Sequence, residues 1–103
     1  MSKLVDRGLA IEPETKEKII ALIRALIPCV RIYFFGSRTT SQFSRSSDID
    51  IAIDAGCEID ILELGELRDV LNATDIPQKI DLVDVYAIPK TLRQKILKDG
   101  VEW

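Results

Sequence analysis

The sequence predicts an α/β fold of the two-layer, α+β kind: a mixed β-sheet with helices packed on it, in the order α-β-β-α-β-α. Three observations predict it. Apolar residues recur at helical spacing over 13–27, 59–73 and 89–99. Between and around them lie short stretches rich in β-branched and aromatic side chains, at 30–35, 47–53 and 79–86. Successive strands are set apart by a helix or a long loop, which favours a mixed sheet carrying helices over a sandwich. With 103 residues, the expectation is one domain over 1–103 with one core.

Residues 1–12 read as a lead-in. Glu12-Pro13-Glu14-Thr15 then has the proline and early acids of a helix start. Ile19, Leu22, Ile23, Leu26 and Ile27 form the apolar stripe of that helix, and Pro28 stops it. Val30 to Phe35 is the first strand, delivering Gly36-Ser37 at its C-terminal end. After a loop, Ser47 to Ile53 forms the second strand, and Asp54-Ala55-Gly56 ends it. Ile59 to Ala73 returns to helical periodicity, with Leu64, Leu67, Val70 and Leu71 on the buried side. Gly65 within it costs about 1 kcal/mol relative to alanine, so either the helix is weakened there or a neighbour approaches closely. Asn72 to Pro77 reads as a loop, because Pro77 excludes its predecessor from helical geometry. Lys79 to Tyr86 is a third strand. Pro89 to Asp99 is a last helix, with Leu92, Ile96 and Leu97 expected inward and Gly100 as its C-terminal cap. Trp103 is expected to lie back on the surface as packing.

The chemistry gathers around the first two strands. Phe34-Phe35-Gly36-Ser37 is followed, ten residues on, by Asp48-Ile49-Asp50-Ile51-Ala52-Ile53. In an extended strand, side chains at i and i+2 share a face about 6–7 Å apart, so one divalent cation can reach both Asp48 and Asp50. Ile49, Ile51 and Ile53 then point the other way, toward a core. A solvated strand end would show the same Asp-x-Asp. Against that, two carboxylates about 4 Å apart repel by about 4 kcal/mol at an effective dielectric near 20, and a protein with no cation to bind gains nothing from the arrangement. Glycine in the preceding turn lets backbone N–H groups approach a phosphate, and serine adds a hydroxyl donor. A phosphate-binding turn beside paired carboxylates points to a metal–nucleotide site.

The third strand carries two more acids. Asp81, Val83 and Val85 share one face, and Ile80, Leu82, Asp84 and Tyr86 share the other. Asp81, at the strand's head, is the better candidate for completing a three-carboxylate cluster. Asp84 is expected to be a strand-edge acid in solvent. A one-residue slip in register would exchange the two.

Composition limits the possibilities. The balance of 47% hydrophobic and 30% charged residues is that of a soluble globular chain. A formal charge of −3 gives no broad attraction to nucleic acid or an anionic membrane. The segment 36–47 is a local exception: it has no acid, two arginines (Arg38 and Arg45) and seven hydroxyl residues. That composition suits a triphosphate and equally an ordinary polar surface loop. With no histidine, and Cys29 and Cys57 far apart in sequence, a zinc site is disfavoured and a Ser-His-Asp triad excluded. Residues 1–10 lack the apolar run of a signal sequence, and 19–30 is too short and too interrupted to span a bilayer. A cytoplasmic protein with reduced thiols is the expectation.

Gly36-Ser37, ten residues, Asp48-Ile49-Asp50 and later Asp81 resemble the signature of the polymerase-β-type nucleotidyltransferase superfamily, and the short length resembles its minimal branch of MNT or MntA-like antitoxins. The resemblance covers nearly the whole chain. Many such loops carry a glycine near the place of Ser41, and its absence here bears on nucleotide affinity, not on the fold. The resemblance implies two Mg²⁺ ions held by Asp48, Asp50 and Asp81, with Gly36 and Ser37 on the outer phosphates of ATP. Arg38 and Ser47 are candidate supports. It further implies in-line attack on the α-phosphate, with Asp81 also able to take the proton of the attacking hydroxyl. It implies a HEPN-domain toxin as partner, encoded beside the antitoxin and modified by AMP on a tyrosine, since 103 residues leave no room for an acceptor-binding domain. Two other readings stay open: an antitoxin that neutralises its partner by complex formation over a vestigial nucleotide site, and a nucleotidyltransferase acting on a small molecule.

Overall fold

A computed structural model describes residues 11–36 and 48–103. The elements follow the predicted order: helix α1 (Pro13–Leu26), strands β1 (Arg31–Phe35) and β2 (Ile49–Asp54), helix α2 (Ile61–Asn72), strand β3 (Ile80–Asp84) and helix α3 (Lys90–Asp99). A two-residue strand, β4 (Val101–Glu102), follows, which the sequence does not signal. The sheet order is β3-β2-β1-β4; β1 runs antiparallel to β2 and β4, while β2 and β3 are parallel. The sheet is therefore mixed, as expected, with α2 making the crossover that a parallel pair requires.

Local signals explain the boundaries. Pro13 sits in the first turn of α1, where its missing N–H costs nothing. Asp60 caps α2, its carboxylate accepting from the backbone N–H of Leu62 at 3.1 Å and of Glu63 at 3.4 Å. Gly100 caps α3, its N–H donating to Ile96 O at 2.8 Å. An added Cβ at Gly65 would meet nothing within 4 Å, so no neighbour demands glycine there and the helix carries the propensity cost.

Strand alternation sorts the side chains. Ile32 and Phe34, Ile49, Ile51 and Ile53, and Ile80 and Leu82 face one way and bury against Ile19 and Ile23 of α1 and Leu64, Leu67 and Leu71 of α2. On the opposite face Tyr33 and Ala52 form a smaller cluster with Val85 and Ile96. Of the three apolar residues expected inward on α3, only Ile96 is buried; Leu92 and Leu97 are 40% and 43% exposed. A short helix that meets this smaller cluster through a single buried residue leaves the rest of its stripe in water. Trp103 stacks on Phe34 with ring centroids 5.1 Å apart, and its backbone N–H donates to Ile32 O at 2.8 Å, so the C-terminal residues are fastened along β1. No helix among the described residues is long and apolar enough to cross a membrane.

Candidate active site

The antiparallel register places Phe35 opposite Asp50, so the turn leaving β1 at Gly36 lies beside the head of β2. The parallel register places Asp50 opposite Asp81. Hydrogen bonding of the sheet thus brings the Gly36 turn and the two carboxylates to one end of three adjacent strands. Asp48 is exposed just ahead of β2, Asp50 is half-buried and Asp81 is exposed.

Electrostatics report the crowding. Burial, then the charge of Asp81, then that of Asp48 push the Asp50 carboxyl up from 3.8 to about 6. Such a carboxylate gains from a nearby cation, and three oxygen-donor side chains suit a hard divalent ion such as Mg²⁺ in donor type. Among the described residues, no three acidic or cysteine side chains already converge as a ready-made metal site. The fit is therefore one of donor chemistry and register.

Gly36 has a steric reason to be glycine. Its φ is +89°, and a Cβ there would collide with the Asp50 carboxylate, whose Cγ would lie 2.8 Å away. The turn and the acid are coupled by space: the room a side chain would take at position 36 is filled by Asp50. Of the site residues the sequence nominates, Gly36, Asp48, Asp50 and Asp81 fall within this end of the sheet. Ser37, Arg38 and Ser47 lie outside the described residues.

Asp84 departs from expectation. It is 1% exposed, on the core face opposite Ile53, three residues along the strand from Asp81. Its Oδ2 accepts from the Ile59 N–H at 2.7 Å and its Oδ1 from the Tyr86 N–H at 3.0 Å. Two backbone donors replace the water a solvent-edge acid would have used. Asp84 thus ties the loop before α2 to the end of β3 and stands apart from the cluster. Sequence reasoning also passed over Asn72 and Arg68, whose side chains bond the backbone of Ile80 and Leu82 on either side of Asp81. An asparagine at a helix end followed by a strand was their only signal.

Residues 17–102 match the family described as Polymerase beta, Nucleotidyltransferase. The chain is 37% identical over 86 residues to the protein adenylyltransferase MntA of Shewanella oneidensis, covering 82% of this chain and 61% of that protein. It is similar to a solved toxin–antitoxin complex with AMP-PNP, at 36% identity and a TM-score of 0.74, over 85% of this chain and 72% of that one. It is likewise similar to the MNT antitoxin solved in complex with the tri-AMPylated HEPN toxin of Shewanella oneidensis, at 33% identity, a TM-score of 0.71 and coverages of 90% and 72%. A family match over most of the chain, a fold similar to that of its solved relatives, and a Gly36 turn abutting an Asp50–Asp81 pair agree: the chain belongs to the polymerase β nucleotidyltransferase family.

Proposed function

We propose that this chain is the antitoxin of a HEPN/MNT pair, a Mg²⁺-dependent adenylyltransferase that moves AMP from ATP to a tyrosine of its partner toxin. On this reading residues 1–103 act as one minimal nucleotidyltransferase domain, working in the cytoplasm where ATP is available. The observation that carries the proposal is the register of Asp50 against Asp81 beside the tight Gly36 turn. The tri-AMPylated toxin in a similar complex, and the ATP analogue in another, support the acceptor and donor.

The roles are those that the family resemblance implies. Gly36 and Ser37, with Arg38 and Ser47 as supports, would hold the outer phosphates. Asp48, Asp50 and Asp81 would hold two Mg²⁺ ions, which when bound supply charge neutralisation at the α-phosphate and the leaving pyrophosphate. The tyrosine oxygen forms a bond to the α-phosphorus as the bond to the bridging oxygen of the β-phosphate breaks, and pyrophosphate departs. The phenolic proton passes to a carboxylate, for which Asp81, exposed at the head of β3, is the candidate.

Asp48→Asn and Asp50→Asn should each lower AMP transfer by about a hundredfold or more while leaving the far-ultraviolet circular dichroism unchanged. Transfer of label from α-labelled ATP to the partner reads this directly. Full transfer by both variants would remove the metal assignment. Protection from the toxin by a double variant incapable of transfer would instead favour neutralisation by complex formation.

A further inference from the structure

We infer that Asn72 and Arg68 of α2 are positioning residues for Asp81, clamping the outer edge of β3 so that this carboxylate stays against Asp50. The inference rests on the adenylyltransferase reading and extends it to two residues outside the carboxylate cluster.

Among the described residues β3 is an edge strand, paired with β2 on one side only. Ile49 N–H donates to Lys79 O and Val85 N–H donates to Ile53 O, so the odd-numbered residues of this stretch turn their backbone groups toward β2. By the alternation of a strand, Ile80 and Leu82 turn theirs outward, where an edge ordinarily meets water or another chain. Here α2 meets them instead. Asn72 Oδ1 accepts from the Ile80 N–H at 2.9 Å while its Nδ2 donates to Ile80 O at 3.0 Å, so one carboxamide imitates a residue of a neighbouring strand. Arg68 donates to Leu82 O from Nε at 3.1 Å and from Nη2 at 3.0 Å. Asn72 Nδ2 also donates to Arg68 O at 3.0 Å, which ties the two clamping residues together.

The clamped residues flank Asp81. Asp50 and Asp81 are like charges in direct register, and the charge of Asp81 acts on Asp50. An edge strand held on one side would relieve that repulsion by drifting outward, carrying Asp81 away from Asp50. Bonds on the outer side oppose the drift in the absence of any cation. Their loss should raise the metal concentration the site needs, with turnover recovering at saturating metal.

The test uses the full chain, with Mn²⁺ as the probe in the absence of nucleotide, followed by paramagnetic broadening of amide signals at 49–51 and 80–82. Hydrogen exchange at the Ile80 amide and the Mg²⁺ dependence of AMP transfer at saturating ATP complete it. In Asn72→Ala, Ile80 should exchange faster, and both metal midpoints should rise by about tenfold or more, with kcat approaching wild type at high Mg²⁺. Arg68→Gln gives a sharper reading and serves if Asn72→Ala fails to fold. Losing a cation near the site would by itself tighten Mn²⁺ binding, so weaker binding in Arg68→Gln reports position. Unchanged midpoints in folded variants, or a fall in kcat alone, would overturn the inference while leaving the adenylyltransferase reading intact. A wild-type chain that shows neither broadening nor transfer would remove that reading, and the inference with it.

Discussion

Asp50 is the residue on which the site turns, and its environment makes a prediction with a definite sign. Its folded-state carboxyl titrates near 6, above the ordinary 3.8. Its contribution to stability is therefore fully present below about pH 4 and is lost as pH rises through about 6. In metal-free protein, Asp50→Asn should raise unfolding stability above pH 6 by about 1 kcal/mol, a figure reduced for the solvent that screens a half-buried group. The gain should vanish near pH 4, and urea unfolding at pH 4 and 7.5 reads both arms. Gly36→Ala tests the spatial partnership: a positive φ at a residue with a Cβ costs about 1–3 kcal/mol, and the added carbon displaces the Asp50 carboxylate. A lower denaturation midpoint together with lost AMP transfer is expected. Asp84 predicts the opposite pattern. Asp84→Ala strands the Ile59 and Tyr86 N–H groups and should lower stability by about 3 kcal/mol, while AMP transfer per folded molecule persists.

At the scale of elements, α2 offers a clean test of propensity. Because nothing stands within 4 Å of a Cβ built at Gly65, Gly65→Ala should stabilise the protein by about 0.4–1 kcal/mol, visible as a raised thermal midpoint. Much of the element pattern was legible in the sequence because each signal was local. Pro13 marked the start of α1, Leu64, Leu67 and Leu71 recurred at helical spacing, and the alternation of β2 separated Ile49, Ile51 and Ile53 from Asp50. The register that places Asp81 beside Asp50 was readable only as a preference, since a slip of one residue reverses every side chain. What escaped the sequence is non-local. Asp84 is buried because Ile59, twenty-five positions away, brings it a donor. β4 is two residues long and exists through its pairing with β1. Leu92 and Leu97 carry the helical period but are not packed into either core cluster of the described residues.

For the whole molecule, the consequence is that the candidate site draws its described residues from three adjacent strands. The first strand supplies the turn, the second the half-buried acid, and the edge strand the third carboxylate, while α2 holds that edge from outside. The apolar faces of the same strands bury Ile49, Ile51, Ile80 and Leu82 against α1 and α2, so core packing and carboxylate placement are set by one register. The proposed activity is tested most directly by the intact mass of a candidate HEPN-domain partner, with peptide fragmentation to place any added group, after incubation with the purified chain, ATP and Mg²⁺. A gain of one or more AMP units on a tyrosine, absent with Asp50→Asn or without Mg²⁺, is the predicted result. An unchanged mass in a stable complex that still silences the toxin would contradict it.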